Sequence, residues 1–236
     1  AWGRAMRFGG VQFGTNFSTQ PTLVTTPLLA AQGEATVPST VDVFVNGRPV
    51  ASEQVPPGPF SIERLPVLSG SGQLQVVVTD ALGRQQVLLQ PYYSGTSLLR
   101  AGLAEYSFEL GSVREDYGTR SFGYGDMLGV ATYRRGLSDT LTAAGRVEAQ
   151  ANGIYALGAD TAWRAGRLGI VTGNLAAGGD SDGTGFTTGL GIEHEGERFS
   201  MFAQTQYASR SFVQTGLAGL PFTPRQRTFG GLGFNF

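Results

Sequence analysis

From Ser97 onward the sequence alternates between apolar and polar residues, in segments of roughly ten residues that are separated by turn residues. The segment YALGADTAW is typical: its odd positions share one face, which is apolar in the middle and aromatic at each end, at Tyr155 and Trp163. A period of two residues is the pattern of a β-strand whose two faces meet different surroundings. The alternation therefore predicts antiparallel β-structure for this part of the chain.

The composition of the two faces favours a transmembrane β-barrel. The apolar faces are rich in Ala, Gly and Thr, with aromatic residues near the strand ends, as suits a lipid band about 25 Å tall with aromatic girdles. A soluble β domain also alternates and stays open as an alternative. No apolar run reaches the roughly 18 residues that a membrane helix needs. The polar faces supply the predicted lumen-facing residues, which are Glu105, Glu109, Arg146, Glu148, Glu193 and Glu195.

The alternation defines candidate strands along most of the chain. From Ser97 onward they lie at residues 98–111, 127–136, 140–151, 154–164, 167–177, 185–196, 198–210 and 227–236. Before Gly33 they lie at residues 4–13 and 22–29. A barrel of about ten strands would be narrow and filled or nearly filled by its own side chains. We therefore expect an open sheet edge, or any folded insertion to lie outside the ring.

Residues 34–92 follow a different pattern, with short strands and proline-bearing loops. Asn46-Gly47 is a favoured two-residue hairpin turn, because both positions tolerate positive φ. A second hairpin is predicted around Asp80 and Gly83, and the apolar run at residues 76–78 suits a strand buried on both sides. These features predict a small β-sandwich, inserted between barrel strands in residues 1–33 and further barrel strands in residues 93–236.

The stretch VPPGPF lies inside this insertion. Pro56, Pro57 and Pro59 cannot donate ladder hydrogen bonds, so they are expected in a connection or on a sheet edge. Pro57-Gly58 is a turn signal, and Phe60 is expected to begin the next strand.

Several segments resemble the outer-membrane usher of the chaperone–usher pilus pathway. They include GVQFGTNFSTQPTLVTTPL, VPPGPF, VTDALGRQQ and YYSGTSLLRAGLAEYSFELG, and the resemblance covers about residues 8–135 well. It implies an all-β fold: part of a transmembrane antiparallel β-barrel with an inserted immunoglobulin-like sandwich, the plug, that occludes the pore at rest. The plug residues that it implies are Val43, Val45, Asn46, Gly47, Pro56, Pro57, Gly58, Pro59, Phe60, Val76, Val78, Asp80 and Gly83.

The resemblance also implies a function. A chain of this family is expected in the outer membrane of a Gram-negative bacterium, as a gated pore without enzymatic activity or cofactor. The expected partners are complexes of a periplasmic chaperone with pilus subunits, the subunits themselves and the lipid bilayer. A passive porin-like channel with an appended sandwich, an outer-membrane hydrolase and a soluble adhesin-like protein are the alternatives.

The chain departs from the family pattern at its ends. A full usher barrel has many more strands and further periplasmic domains, so we expect an interior piece of an usher. The closing segment RTFGGLGFNF instead resembles the C-terminal strand of outer-membrane barrels, with Phe236, Phe234 and Leu232 on one face. Both interpretations stay open.

Few residues point to other chemistry. The chain has no cysteine and one histidine, His194, so thiolate metal sites are excluded and a histidine-dependent active site would have to use that residue. Asp180 and Asp182 lie in a glycine-rich loop with calcium-like spacing, but a calcium site needs more oxygen ligands, which favours an ordinary loop. The net charge of −1 gives no electrostatic case for binding nucleic acid.

Overall fold

The computed structural model describes residues 2–3, 6–20, 22–65, 70–115, 118, 121–196, 198–215 and 225–234. Two short 3-10 helices, at Phe17–Thr19 and Gly166–Leu168, interrupt an otherwise all-β chain. In the described ranges no helix has both the length and the hydropathy to span a membrane. The strands are β1 (Phe8–Gly14), β2 (Leu29–Ala35), β3 (Ser39–Val45), β4 (Arg48–Val55), β5 (Gly58–Leu65), β6 (Gly70–Asp80), β7 (Gln85–Ser94), β8 (Ala104–Arg114), β9 (Tyr124–Ser138), β10 (Leu141–Gln150), β11 (Tyr155–Arg164), β12 (Ile170–Asp180), β13 (Gly183–Glu195), β14 (Phe199–Ala208) and β15 (Gln226–Phe234).

Nine of these strands form one antiparallel sheet in the order β1-β8-β9-β10-β11-β12-β13-β14-β15. The eight strands predicted after Ser97 are confirmed, with shifted ends. Within the described residues β1 and β15 have one neighbour each, so the sheet is open, as expected for so few strands. Asn235 and Phe236 lie outside the described residues, so the interpretation of the closing segment stays a prediction.

One predicted barrel strand is wrong. Residues 22–28 are not in a strand, and β2 starts at Leu29 and pairs with β5 rather than with the large sheet. Pro27 explains the error, because it lacks the N–H donor that a ladder requires in the middle of the predicted strand. The sheet consequently has nine strands and not ten, and the strands of the sandwich begin ahead of residue 34.

The two faces of the nine-stranded sheet differ as the alternation predicts. One face, here called the outer face, exposes large apolar side chains along the middle of the strands. Leu157 is 55% exposed and Leu190 is 63% exposed on this face. Soluble proteins rarely leave contiguous apolar patches of this kind uncovered. The outer face therefore has the surface of a barrel wall that faces lipid.

The insertion is a sandwich of the four-stranded sheet β4-β3-β6-β7 on the two-stranded sheet β2-β5. Its own apolar core includes Val43, Val45, Phe60, Val76 and Val78. Val77 is only half-buried, so the expectation of a β6 buried on both sides is wrong. The reason is that the core covers one face of β6 and leaves the other outside the sandwich.

The turns of the sandwich follow the sequence signals. Asn46 and Gly47 take positive φ angles of 48° and 77° in the β3–β4 hairpin. Pro56 and Pro57 lie at the link between β4 and β5, ahead of Gly58 with a φ of 123°. Pro59 lies opposite Glu34 in the two-stranded sheet, where each strand has a free edge and a missing donor is tolerated.

The β6–β7 turn is organised by one carboxylate. Asp80 accepts hydrogen bonds from the backbone N–H groups of Leu82 (2.8 Å) and Arg84 (2.9 Å) and from the Arg84 side chain (2.7 Å). Desolvation acts to raise the pKa of Asp80, but these hydrogen bonds and the charge of Arg84 outweigh it, and the pKa lies below its ordinary value. Gly83 completes the turn with a φ of 81°.

Leu157→Arg should impair assembly of the barrel in the outer membrane, because an arginine on the lipid face costs about 2–4 kcal/mol near the bilayer midplane. Gln204→Arg is the matched control on the opposite face of the sheet. Heat-modifiable migration of membrane fractions measures the folded barrel. Equal assembly of the two variants would show that the faces are assigned wrongly.

Asp80→Ala should speed amide hydrogen exchange in residues 80–85 severalfold at neutral pH. Because the folded pKa of Asp80 is lowered, its stabilising contribution is present above the unfolded value of about 3.9 and is lost as the pH falls through the folded pKa. The difference from the unsubstituted chain should therefore shrink at acidic pH. Glu53→Ala, on exposed β4, is the control, and a pH-independent difference would contradict the role of the charge.

Candidate functional site

The polar face of the nine-stranded sheet holds all six predicted lumen-facing residues. Glu105 and Glu109 lie on β8, Arg146 and Glu148 on β10, and Glu193 and Glu195 on β13, each at alternate positions of its strand. The strand register places these positions on the face opposite Leu157 and Leu190. That this face lines a lumen stays a prediction.

Hydrogen bonds connect two of these carboxylates to neighbouring strands. Glu105 pairs with Arg134 at 2.9 Å, and Glu109 accepts hydrogen bonds from Gln12 (3.1 Å) and Ser107 (2.7 Å). The alternation predicts such residues on the polar face, but no sequence signal specifies the pairing. The polar face is therefore a bonded network between β1, β8 and β9.

Glu148 is buried, although charges on this face were expected to line open water. Its side chain is 1% exposed, and it pairs with Arg146 at 2.6 Å. It also accepts hydrogen bonds from the backbone N–H of Thr215 (3.2 Å) and from the Thr215 hydroxyl. Residues 209–215, which follow β14, thus fold back over the polar face and cover Glu148.

An apolar cluster supports the same segment. Phe212 packs with Trp2, Ala156 and Ala176 on the polar side of β11 and β12. A Cβ atom at Gly178 would collide with the backbone oxygen of Val213, so the close approach requires glycine there. In the sequence, the small side chains of Ala156, Ala176 and Gly178 indicate that another part of the chain approaches closely. They do not indicate that this part is residues 209–215.

The end of β7 and the chain that follows it toward β8, residues 93–100, lie on the other end of the polar face. The sequence predicts residues 98–100 as the beginning of a strand, which instead starts at Ala104. Leu98 is buried with Tyr93, Ala162 and Ile170. This exit linker is therefore packed down on β11 and β12.

Side chains of the large sheet hold the backbone of the exit linker. Arg134 donates to the carbonyl oxygen of Ser97 (2.9 Å), and Arg164 donates to that of Tyr93 (3.0 Å). The Ser97 hydroxyl donates to Glu193 (2.7 Å), and the backbone N–H of Leu99 donates to the Thr142 hydroxyl (2.8 Å). The face that the sequence predicts as a pore lining is thus also the anchor of the linker.

Tyr93 joins the exit linker to the end of β13. Its hydroxyl accepts a hydrogen bond from the backbone N–H of Glu195 (3.1 Å) and donates to the carbonyl oxygen of Glu193 (3.4 Å). Burial raises the pKa of Tyr93; the hydrogen bond from Glu195 opposes this, and the charges of Glu193 and Glu195 reinforce it. The phenol therefore stays protonated and keeps its donor at neutral pH.

A cavity of about 460 Å³ lies where the sandwich meets β13 and β14. His194 lines it and stacks on Phe199 at 5.5 Å. Arg167 and Arg198 also line the cavity, and in the described part of the chain no three His, Cys, Asp or Glu side chains are grouped to hold a metal. Asp180 accepts a hydrogen bond from the backbone N–H of Asp182 (2.9 Å) within the β12–β13 turn.

The predicted plug residues all lie in the sandwich, in its core, its hairpin turns and the link between β4 and β5. In the described part of the chain, none of them forms a hydrogen bond with the sheet residues that hold the exit linker, Arg134, Arg164 and Glu193. The residues that connect the sandwich to the sheet, Arg134, Arg164, Tyr93 and Ser97, were not predicted from the sequence.

Comparison with known proteins identifies the family. A family profile described as outer membrane usher protein matches residues 5–197, and the chain belongs to this family. The resemblance seen in the sequence is thereby confirmed.

Individual relatives cover different lengths. The outer membrane usher protein YehB of Escherichia coli is 25% identical over 95% of this chain, which corresponds to 26% of YehB. The F1 capsule-anchoring protein of Yersinia pestis is 34% identical over 51% of this chain and 14% of its own length. The chain thus spans about a quarter or less of these relatives.

A solved structure shows the same fold. PapC in the E. coli P pilus tip assembly intermediate PapC-PapD-PapK-PapG covers 90% of this chain and 27% of that chain, with a TM-score of 0.59 and 21% identity. Together with the family membership, this supports the all-β fold of a partial barrel with an inserted sandwich.

Arg134→Gln should loosen the exit linker, because it removes hydrogen bonds to Ser97 and to Glu105. We expect amide exchange in residues 95–103 to be roughly tenfold faster, since hydrogen bonds to charged groups contribute about 1.5–3 kcal/mol. Hydrogen exchange with mass spectrometry measures this. Arg135→Gln is the matched control, one residue away on the opposite face. Equal exchange in the two variants would contradict the anchor.

Proposed function

We propose that this chain forms part of the gated pore of an outer-membrane usher, in which the sandwich occludes the pore at rest. The observation that carries the proposal is the position of the insertion. A sandwich with its own core interrupts the chain between β1 and β8, which are neighbours in one barrel sheet. Such an insertion can move relative to the sheet without disturbing the core of either part.

The exit linker supports a gating role. It is held to the polar face by Arg134, Arg164 and Glu193, while the entry side contributes the Thr25 carbonyl oxygen, which accepts from the backbone N–H of Arg100 (2.7 Å). The links are therefore fixed to the sheet by polar contacts and by the small apolar cluster around Leu98, and not by the core of the sandwich. We assign the first barrel strand, β1, to residues 1–28, the plug to residues 29–92 and further barrel strands to residues 93–236.

The cargo follows from the family and its relatives. PapC was solved within an assembly intermediate of the P pilus tip, together with PapD, PapK and PapG. By analogy, complexes of a periplasmic chaperone with pilus subunits would enter this pore, and the subunits would leave it across the outer membrane. The role is that of a transport pore without enzymatic chemistry, and opening would follow from preferential binding of the incoming complex to the open state.

Deletion of the sandwich from the full-length usher that contains this chain tests the gate. Removing residues 34–92 alone would leave part of β2 without β5, so the deletion begins at residue 29 and joins residue 28 to residue 93 through a short Gly/Ser linker. Single-channel conductance should rise severalfold, and cells should become sensitive to antibiotics too large for ordinary porins.

Two controls accompany the deletion. Heat-modifiable migration confirms that the shortened barrel inserts, and Val43→Ala in the intact usher reports on a weakened but present sandwich. Unchanged conductance in a barrel that inserts would remove the gating role. The passive porin-like channel with an appended sandwich would then be the function.

A further inference from the structure

The outer face of the large sheet carries a groove of about 770 Å³ across β8 to β13. Its floor is made of small residues, because Gly145 and Ala159 lie between the larger Tyr133 and Leu175 in one cross-strand row. Its rims are the exposed apolar side chains Tyr106, Phe108, Tyr133, Leu157, Leu175 and Phe186. The volume is in the range of about 300–1,000 Å³ that encloses a drug-sized ligand, which is also the scale of an acyl chain.

A cation lies just beyond the sandwich-side rim of this groove. Arg135 is exposed, two residues after Tyr133 on β9, and lies opposite Ala143 of β10 and Ala104 of β8. In the sandwich-side half of β8–β12, no other described outer-face position carries a charge. No described carboxylate forms an ion pair with Arg135.

We propose that the groove and Arg135 bind one phospholipid of the surrounding bilayer, with the phosphate on the guanidinium and an acyl chain along Gly145 and Ala159. The proposal requires the outer face to contact lipid, but it is independent of gating by the sandwich. We choose a phospholipid as the occupant because its negatively charged phosphate complements the positive charge of Arg135. A guanidinium presents a fork of donors that matches phosphate oxygens, and an unpaired arginine on a lipid face is unfavourable unless it reaches such a group.

The position along the strands agrees with a headgroup at this end. Arg135 lies three residues before the end of β9 at Ser138, and Tyr106 lies two residues after the start of β8. Trp163 lies one residue before the end of β11. Tyrosine and tryptophan concentrate at the membrane interface, where their rings are at headgroup level. The phosphate would thus meet Arg135 at the interface, while the chain runs inward over the small residues.

Native mass spectrometry of the full-length usher that contains this chain, titrated with phosphatidylglycerol in detergent, tests the site. Arg135→Gln should lower the occupancy of the tightest-bound lipid by about tenfold, as expected for the loss of a charge-assisted hydrogen bond. Arg135→Lys should retain part of the binding. Ala159→Trp should fill the groove and lower binding, whereas Ala203→Trp, on the same face of β14 outside the groove, should not.

Two further measurements distinguish a bound phospholipid from a lipid without phosphate and from free inorganic phosphate. Diacylglycerol, which lacks the phosphate, should bind weakly and without dependence on Arg135. Inorganic phosphate alone should not compete with the lipid, because it cannot use the groove.

Each contrary result overturns the proposal. Equal lipid binding by the unsubstituted protein and by Arg135→Gln, or by Ala159→Trp and Ala203→Trp, would exclude a lipid site. Competition by inorganic phosphate would assign Arg135 to a free anion. A change of oligomeric state in Ala159→Trp without a change in bound lipid would assign the groove to a second copy of the chain. If Arg135→Gln does not fold, the comparison of Arg135→Lys with the unsubstituted protein and of Ala159→Trp with Ala203→Trp tests the lipid site.

Discussion

The pairing of β1 with β8 is the interaction on which the remaining structure depends. Its register runs from Phe8 opposite Val113 to Gly14 opposite Ser107, across the whole insertion. In a membrane wall each backbone donor and acceptor must be satisfied by a neighbouring strand, because lipid offers no alternative partner. The two strands must therefore stay adjacent, and the sandwich must leave and re-enter the sheet at the same end. Whatever position the sandwich takes, its two links start within one strand spacing of each other.

This constraint divides the stabilising interactions between two kinds of surface. The sandwich has a core of its own, in which no described residue of the large sheet takes part. The large sheet has one apolar face, and its polar face is stabilised by buried hydrogen bonds and ion pairs, such as that of Arg146 with Glu148. Displacing the sandwich would leave its own core intact, and it would also leave intact the hydrogen bonds and ion pairs within the large sheet. The contacts at stake are those of the exit linker, which are its hydrogen bonds with Arg134, Arg164 and Glu193 and the burial of Leu98 on β11 and β12.

Most of the large sheet could be predicted from the sequence, because a period of two residues is visible in the side chains of each strand. The hairpin turns at Asn46-Gly47 and at Asp80 could be predicted because they depend on local backbone chemistry. The position of β2 could not, since pairing with β5 rather than with the barrel depends on contacts about thirty residues away in sequence. The burial of Glu148 could not be predicted for the same reason, because Thr215, which covers it, is 67 residues away in sequence. Leu98 and Leu99 resembled a strand because burial in a linker and burial in a strand select the same side chains.

Arg134 and Arg135 show how tightly the register of β9 is coupled to both surfaces. The two cations are adjacent in sequence, yet Arg134 pairs with Glu105 on the polar face and Arg135 is exposed on the outer face. A slip of one residue would exchange the faces of every side chain on the strand. It would take Arg134 away from Glu105 and Ser97, and it would bring Arg135 under the linker with Ala104 no longer opposite. Because Arg135 would then take the place of Arg134 beside Glu105, the two cations alone do not oppose the slip. Gly136 does, since a residue with a Cβ atom in its place would collide with the carbonyl oxygens of Leu99 and Arg100 in the linker. The contacts that hold the linker therefore also fix the register of β9, which decides which of its side chains lie on the polar face and which on the outer face.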